Sequence, residues 1–121
     1  MKFEEYNPNS KHCDCIIRTF MKLLDKSYIK VKEELNEIAH SLGYDSYGET
    51  EVFEKYFDKN GFSKIDAEDI LVRDLSFDNA SYGVFCYHDD DYHLFAVIDR
   101  TAYDKNERFW KMRVINLYRK D

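Results

Sequence analysis

Tyr82-Gly83-Val84-Phe85-Cys86-Tyr87, then His88-Asp89-Asp90-Asp91, then His93-Leu94-Phe95-Ala96-Val97-Ile98-Asp99 is the stretch that decides the fold. Each outer run is apolar and of strand length, and the middle one is a polar turn. The pattern predicts two consecutive buried strands. Arg100-Thr101 reads as a tight connection, and Ala102-Tyr103 continues as a third strand. Trp110 to Tyr118 carries Met112, Val114, Ile115 and Leu117 in loose alternation and reads as a fourth.

Upstream the period is helical. Ile16, Phe20 and Leu23/Leu24 recur at helix spacing from about Cys15 to Leu24, and Ile17 and Met21 widen the apolar face. Asp14 is suited to cap this first helix. Ser27 caps a second, carrying Tyr28, Val31, Leu35, Ile38 and Leu42 and stopped by Gly43. A third follows Thr50, with Val52, Phe53, Tyr56 and Phe57 on one side and Gly61 as its end. Residues up to Asp14 read as loop. The segment Ser63 to Asp78 is ambiguous, with a short helix at Asp66-Ala67-Glu68-Asp69-Ile70-Leu71 as one reading. Helices first and consecutive strands second predict an α+β domain, N-terminal helices packed on a C-terminal antiparallel sheet.

The 121 residues, 44% of them hydrophobic and 17% aromatic, suit a single packed domain spanning 1–121. The net charge of -6 argues against a nucleic-acid partner, because a phosphate backbone selects basic surfaces. No apolar run is long enough to span a membrane, and MKFEEYNPNS carries no apolar signal stretch. A cytoplasmic location is expected. Three cysteines then imply reduced thiols.

Cys15 stands where a polar loop becomes a helix, in His12-Cys13-Asp14-Cys15. Free N–H groups and the helix dipole stabilise a thiolate there. His93, opening a strand far downstream, supplies a matching base. Cys13 precedes the helix and gains less from it; Cys86 sits inside a strand as core. His93, Phe95, Val97 and Asp99 share a face, but Asp99 is about 20 Å from His93 along an extended strand. The residue orienting the ring must come from the next strand. With a turn at Arg100-Thr101, Ala102, Asp104 and Asn106 return on the His93 face, and sheet geometry slightly prefers Asn106. A zinc site from His12, Cys13, Cys15, His88 and His93 has untidy spacing. His40 reads as an exposed helix residue. Asp89-Asp90-Asp91 lacks the alternation and glycine of a calcium loop and reads as a solvated hairpin. No metal or organic cofactor is expected.

Asp14-Cys15-Ile16-Ile17-Arg18-Thr19, Lys26-Ser27-Tyr28, Gly61-Phe62, His93 to Asp99 and Tyr103-Asp104 form an ordered set over about residues 12–118. The set resembles small papain-like cysteine peptidases of bacteria and their phages. These share a D-C-x-x-R-A helix, a K-x-[WY] helix, a G-[FW] helix end and an H-x-x-A-V-[IV]-D…D-T strand. The resemblance implies a papain-like fold, with Cys15 as nucleophile, His93 as base and Asp104 as the third residue. It also brings Asn9, six residues before Cys15, into the role of oxyanion donor, where such enzymes usually place glutamine. Two positions depart from the pattern: Arg100 stands where glycine is usual, and Glu107 where a second aspartate often stands.

Two functions follow from this reading. One is a thiol hydrolase cleaving a peptide or isopeptide bond in a protein or peptide substrate. The other is a catalytically idle papain-like module that binds a protein partner through an acidic, tyrosine-rich surface. Contact between Cys15 and His93, with an open groove beside them, separates the first from the second.

Overall fold

The computed structural model describes residues 1–8, 14–67 and 69–121. It is an α+β arrangement of three helices and a six-stranded mixed sheet. The strands are β1 (Lys2–Glu5), β2 (Ser63–Asp66), β3 (Ser81–His88), β4 (Asp91–Ile98), β5 (Thr101–Asp104) and β6 (Arg113–Lys120). Their order across the sheet is β1-β5-β4-β3-β6-β2.

The helices α1 (Cys15–Leu24), α2 (Tyr28–Ser41) and α3 (Thr50–Lys59) start and stop where the sequence signals place them. The Asp14 carboxylate accepts the Ile17 N–H at 2.9 Å, and Ser27 Oγ accepts the Lys30 N–H at 3.2 Å. Each cap satisfies a backbone donor that the helix itself leaves open. Gly43 and Gly61, at φ 85° and 83°, turn the chain after α2 and α3. Asp25 does the same after α1, at φ 52° and without glycine's freedom.

Expectation and structure differ in several places. Residues Lys2 to Glu5, read as loop, form β1, which pairs parallel with β5. The sheet is therefore mixed, and only its β5-β4-β3-β6-β2 part is antiparallel. Of the residues offered as a short helix, Asp66 instead ends β2, which pairs with β6, and Leu71 bridges to Arg113, while Glu68 lies outside the described residues. The adjoining 3-10 turn lies later, at Val72–Asp74. An exposed edge pairing, with few buried side chains, leaves little apolar period to read. Finally, β6 begins at Arg113, because Arg108–Lys111 forms a 3-10 turn first.

The β4–β5 turn also shifts. Ile98 pairs with Thr101, so the turn residues are Asp99 and Arg100, at φ 49° and 63°. Two left-handed residues in succession are the signature of a two-residue hairpin whose twist matches the strands. Moving the turn by one residue moves the register by two. Asp104 and Asn106 therefore keep the parity of His93.

Alternation splits the sheet into two apolar faces. Phe85, Leu94 and Tyr118 meet the helices through Ile17, Phe20, Leu35, Phe53 and Phe57. Val84, Cys86, Phe95, Val97, Ala102 and Leu117 face the other way and are closed by Val72, Phe109 and Met112 from the connecting turns. The helical layer thus covers one face, and short 3-10 segments cover the other. Each fully buried side chain of this size contributes roughly 1.5–3 kcal/mol.

Candidate active site

Cys15 is the first residue of α1 and is half-buried. Its position is held by the Asp14 cap, and the Tyr47 hydroxyl donates to the same carboxylate. Burial along α1 then runs through Ile17, Arg18, Thr19 and Phe20, two of them polar. The apolar spacing alone does not anticipate this. The reason lies in the sheet. The β4–β5 ladder covers only Ala96 to Ile98, so the earlier part of β4 lacks a β5 partner. Helix α1 occupies that place, and the buried Thr19 hydroxyl lies 3.1 Å from the Leu94 carbonyl oxygen and 2.7 Å from the Cys15 carbonyl oxygen. A buried carbonyl beside the strand is thereby given a donor.

The same edge position brings Cys15 to His93. The His93 ring is 1% exposed and lines the same cavity as Cys15, near enough for the two groups to interact electrostatically. His93 Nε2 lies 2.5 Å from Asp104 Oδ2. Asp104, also 1% exposed, is held on its other oxygen by Arg18 Nη2 at 3.1 Å and by the Lys105 N–H at 2.8 Å. Burial opposes charging the imidazole. The Asp104 side chain, and after it Cys15, outweigh that and lift the ring's pKa above its ordinary value of 6.5. A carboxylate on Nε2 also fixes which nitrogen is left for the thiol, namely Nδ1.

Of the two candidates for the residue beside the ring, the structure brings Asp104 to His93. Asn106 keeps the parity but lies beyond the end of β5, where its side chain accepts the Arg108 N–H at 3.1 Å. Asp99 sits in the hairpin turn. Asn9, the expected oxyanion donor, lies outside the described residues, as do His12 and Cys13 of the zinc reading. Among the described residues, no three His, Cys, Asp or Glu side chains group as a metal site. His88 pairs with Asp89 at 3.6 Å and is exposed. His40 is exposed on α2. Of the acidic turn, Asp89 and Asp90 form the β3–β4 hairpin, and Asp91 opens β4. Cys86 pairs with His93 across the β3–β4 ladder and is fully buried. Burial, then the nearby Asp104 charge, pushes its thiol well above the ordinary range.

Two arginines at the site were not assigned a role from sequence. Arg18 had a signal: three residues after Cys15, it lies on the same side of α1 one turn on. Arg108 had none, because the 3-10 turn that carries it has no apolar period. Its Nη2 lies 3.0 Å from His93 Nδ1, and its Nη1 donates to Asp91 Oδ2 at 2.6 Å.

A cavity of about 430 Å³ opens beside Cys15 and His93, with Ile16, Phe53, Phe85 and Tyr92 among its walls. A thiol at a helix N-terminus, a buried imidazole with a carboxylate behind it, and an adjoining apolar cavity are the parts of nucleophilic acyl chemistry. The chain matches no family model, no curated protein and no solved structure.

Proposed function

We propose that this chain is a papain-like thiol hydrolase acting on a peptide or isopeptide bond. The observation that carries the reading is the buried His93–Asp104 pair with Cys15 beside it on the wall of one cavity. The Cys15 sulfur, as thiolate, attacks the scissile carbonyl carbon, and the carbonyl π electrons move to oxygen. The oxyanion is met by the Cys15 backbone N–H, with Asn9 as second donor by resemblance. Collapse of this intermediate expels the amine, which takes its proton from His93 Nδ1, and leaves a thioester on Cys15. Water, deprotonated by the same nitrogen, then attacks the thioester carbonyl and releases the acid and the thiolate. Asp104 holds the ring's proton at Nε2 and favours the imidazolium. Arg18 in turn fixes the carboxylate that does this.

The alternative, an idle module that binds a protein partner, requires neither a thiol beside a carboxylate-backed imidazole nor an open cavity next to it. The cavity favours the hydrolase. A thiol-directed activity probe, with labelled residues identified by mass spectrometry, tests the choice. Near neutral pH, Cys15 is expected to label ahead of Cys13 and Cys86. His93→Ala and Asp104→Ala each slow that labelling, by about tenfold or more for loss of a charge-assisted partner. Asn106→Ala leaves it unchanged. Equal, slow labelling of Cys13 and Cys15 below pH 8 would sink the activated nucleophile. Slowing by Asn106→Ala but not by Asp104→Ala would give the third role to Asn106.

A further inference from the structure

A guanidinium has donors and no acceptor. Arg108 Nη2, 3.0 Å from His93 Nδ1, therefore hydrogen-bonds that nitrogen only while it carries a lone pair. In that arrangement the ring is neutral, with its proton on Nε2 toward Asp104. Asp91, through Oδ2 at 2.6 Å from Nη1, holds the guanidinium from its far side. The nitrogen so occupied is the one left for Cys15, since Asp104 takes the other.

We propose that Arg108 is a positioning residue that restrains the base. Anchored by Asp91, it occupies His93 Nδ1 in the resting protein, and it must swing away before His93 and Cys15 form the imidazolium–thiolate pair. The inference rests on the hydrolase reading and adds a control on the same site. Both partners of the clamp reach solvent, with side-chain exposures of 43% for Arg108 and 51% for Asp91. His93 and Asp104, at 1% each, are not. Of the groups on the ring, the arginine is therefore the one with solvent to swing into.

The charged and titratable groups around the ring come from several elements. Cys15, and Arg18 through Asp104, belong to α1. Cys86 lies across on β3, and Asp104 on β5. Asp91 shares β4 with His93, and Arg108 lies on the 3-10 turn. Asp104 and a Cys15 thiolate favour the imidazolium, whereas Arg108 opposes it. Cys86, with its thiol neutral, adds no charge.

The test uses the full chain and iodoacetamide, following Cys15 alkylation from pH 6 to 9 beside the His93 titration by 15N NMR. Arg108→Met keeps the stem and removes the donors. It is expected to speed Cys15 alkylation near pH 7 about tenfold, the size of one charge-assisted hydrogen bond, and to raise the His93 pKa. Asp91→Asn separates the clamp from simple charge effects. Loss of a negative charge alone would disfavour the imidazolium and slow alkylation, whereas loss of the anchor frees Arg108 and speeds it. Unchanged or slower alkylation in either variant overturns the restraint. His93→Ala reports on the underlying reading separately. If it slows alkylation while Arg108→Met does nothing, the restraint fails and the hydrolase reading stands. If it leaves alkylation fast, the hydrolase reading fails.

Discussion

His93 is the residue at which burial and charge meet, and the sign of its effect on stability can be worked out. Its pKa in the folded chain lies above the ordinary 6.5, chiefly because the Asp104 side chain overrides the burial of the ring. The folded state therefore holds the proton more tightly than the unfolded one. The stabilisation is fully present below about pH 6.5 and is lost as pH rises through the folded value. Urea unfolding at pH 5.5 and pH 8.5 should show the larger stability at the lower pH from this group. Asp104→Asn should flatten that difference. An unchanged pH dependence in the variant would mean that Asp104 is not what raises the ring. Cys86 makes the contrast within the same site. Two strands meet at His93 and Cys86, yet Cys86 is wholly enclosed, and its neutral thiol donates to the His93 carbonyl oxygen at 3.5 Å. Of these two thiols, Cys15, at a helix end beside the cavity, is the one a reagent can reach.

Among the elements, β3 shows how closely the helical layer sits on the sheet. A Cβ on Gly83 would lie 2.2 Å from Phe57 Cζ, far inside contact distance. Phe57 cannot readily yield, because it stacks on Tyr118 with ring centroids 4.3 Å apart and packs against Phe20 at 4.5 Å. Glycine at 83 is thus required by the approach of α3 and not by backbone conformation. Gly83→Ala should cost about 1–3 kcal/mol or more, as overpacking does in a filled core. In Phe57→Leu the ring is gone, and adding Gly83→Ala should cost markedly less than it does alone. Additive losses in this double-mutant cycle would mean that the clash is not the cause. The apolar run Tyr82 to Tyr87 marks a buried strand without revealing this, because the partner is 26 positions upstream on another element.

On the scale of the whole molecule, the sheet order explains how the site is braced. Strand β1 lies outside β5, with Glu5 beside Asp104 in the register. The Tyr6 N–H donates to the Asp104 carbonyl oxygen at 2.8 Å, so the N-terminal strand ends on the residue that orients His93. Phe3 adds an aromatic contact to Phe109 at 6.0 Å. Deleting residues 2–5 should lower the Tm by about 5 °C or more, for the loss of a paired strand. It should also slow Cys15 labelling, because an unbraced β5 lets Asp104 drift from the ring. Full labelling speed in the shortened chain would show that β5 and Arg18 suffice. No helix is long and apolar enough to cross a membrane among the described residues.

Local signals in the chain were enough for the three helices, the Asp14 and Ser27 caps, the two central strands, and Cys15 at a helix start. The strand that carries His93 was legible too, although it opens two residues earlier, at Asp91. These are local: a cap needs one side chain within three residues, and a buried strand or helix carries its own period. The sequence also determined the parity that puts Asp104 and Asn106 on the His93 side, since a pleat repeats every two residues wherever the turn falls. Parity left the two open and the resemblance pointed to Asp104; what places Asp104 beside the ring is tertiary, because β5 ends at Asp104 and Asn106 falls beyond it. Tertiary structure alone added β1 and β2, edge strands too exposed to carry a period. It also placed Arg18 and Arg108. A guanidinium on the end of a long side chain finds its carboxylate or imidazole through space, and no spacing along the chain encodes which one it meets.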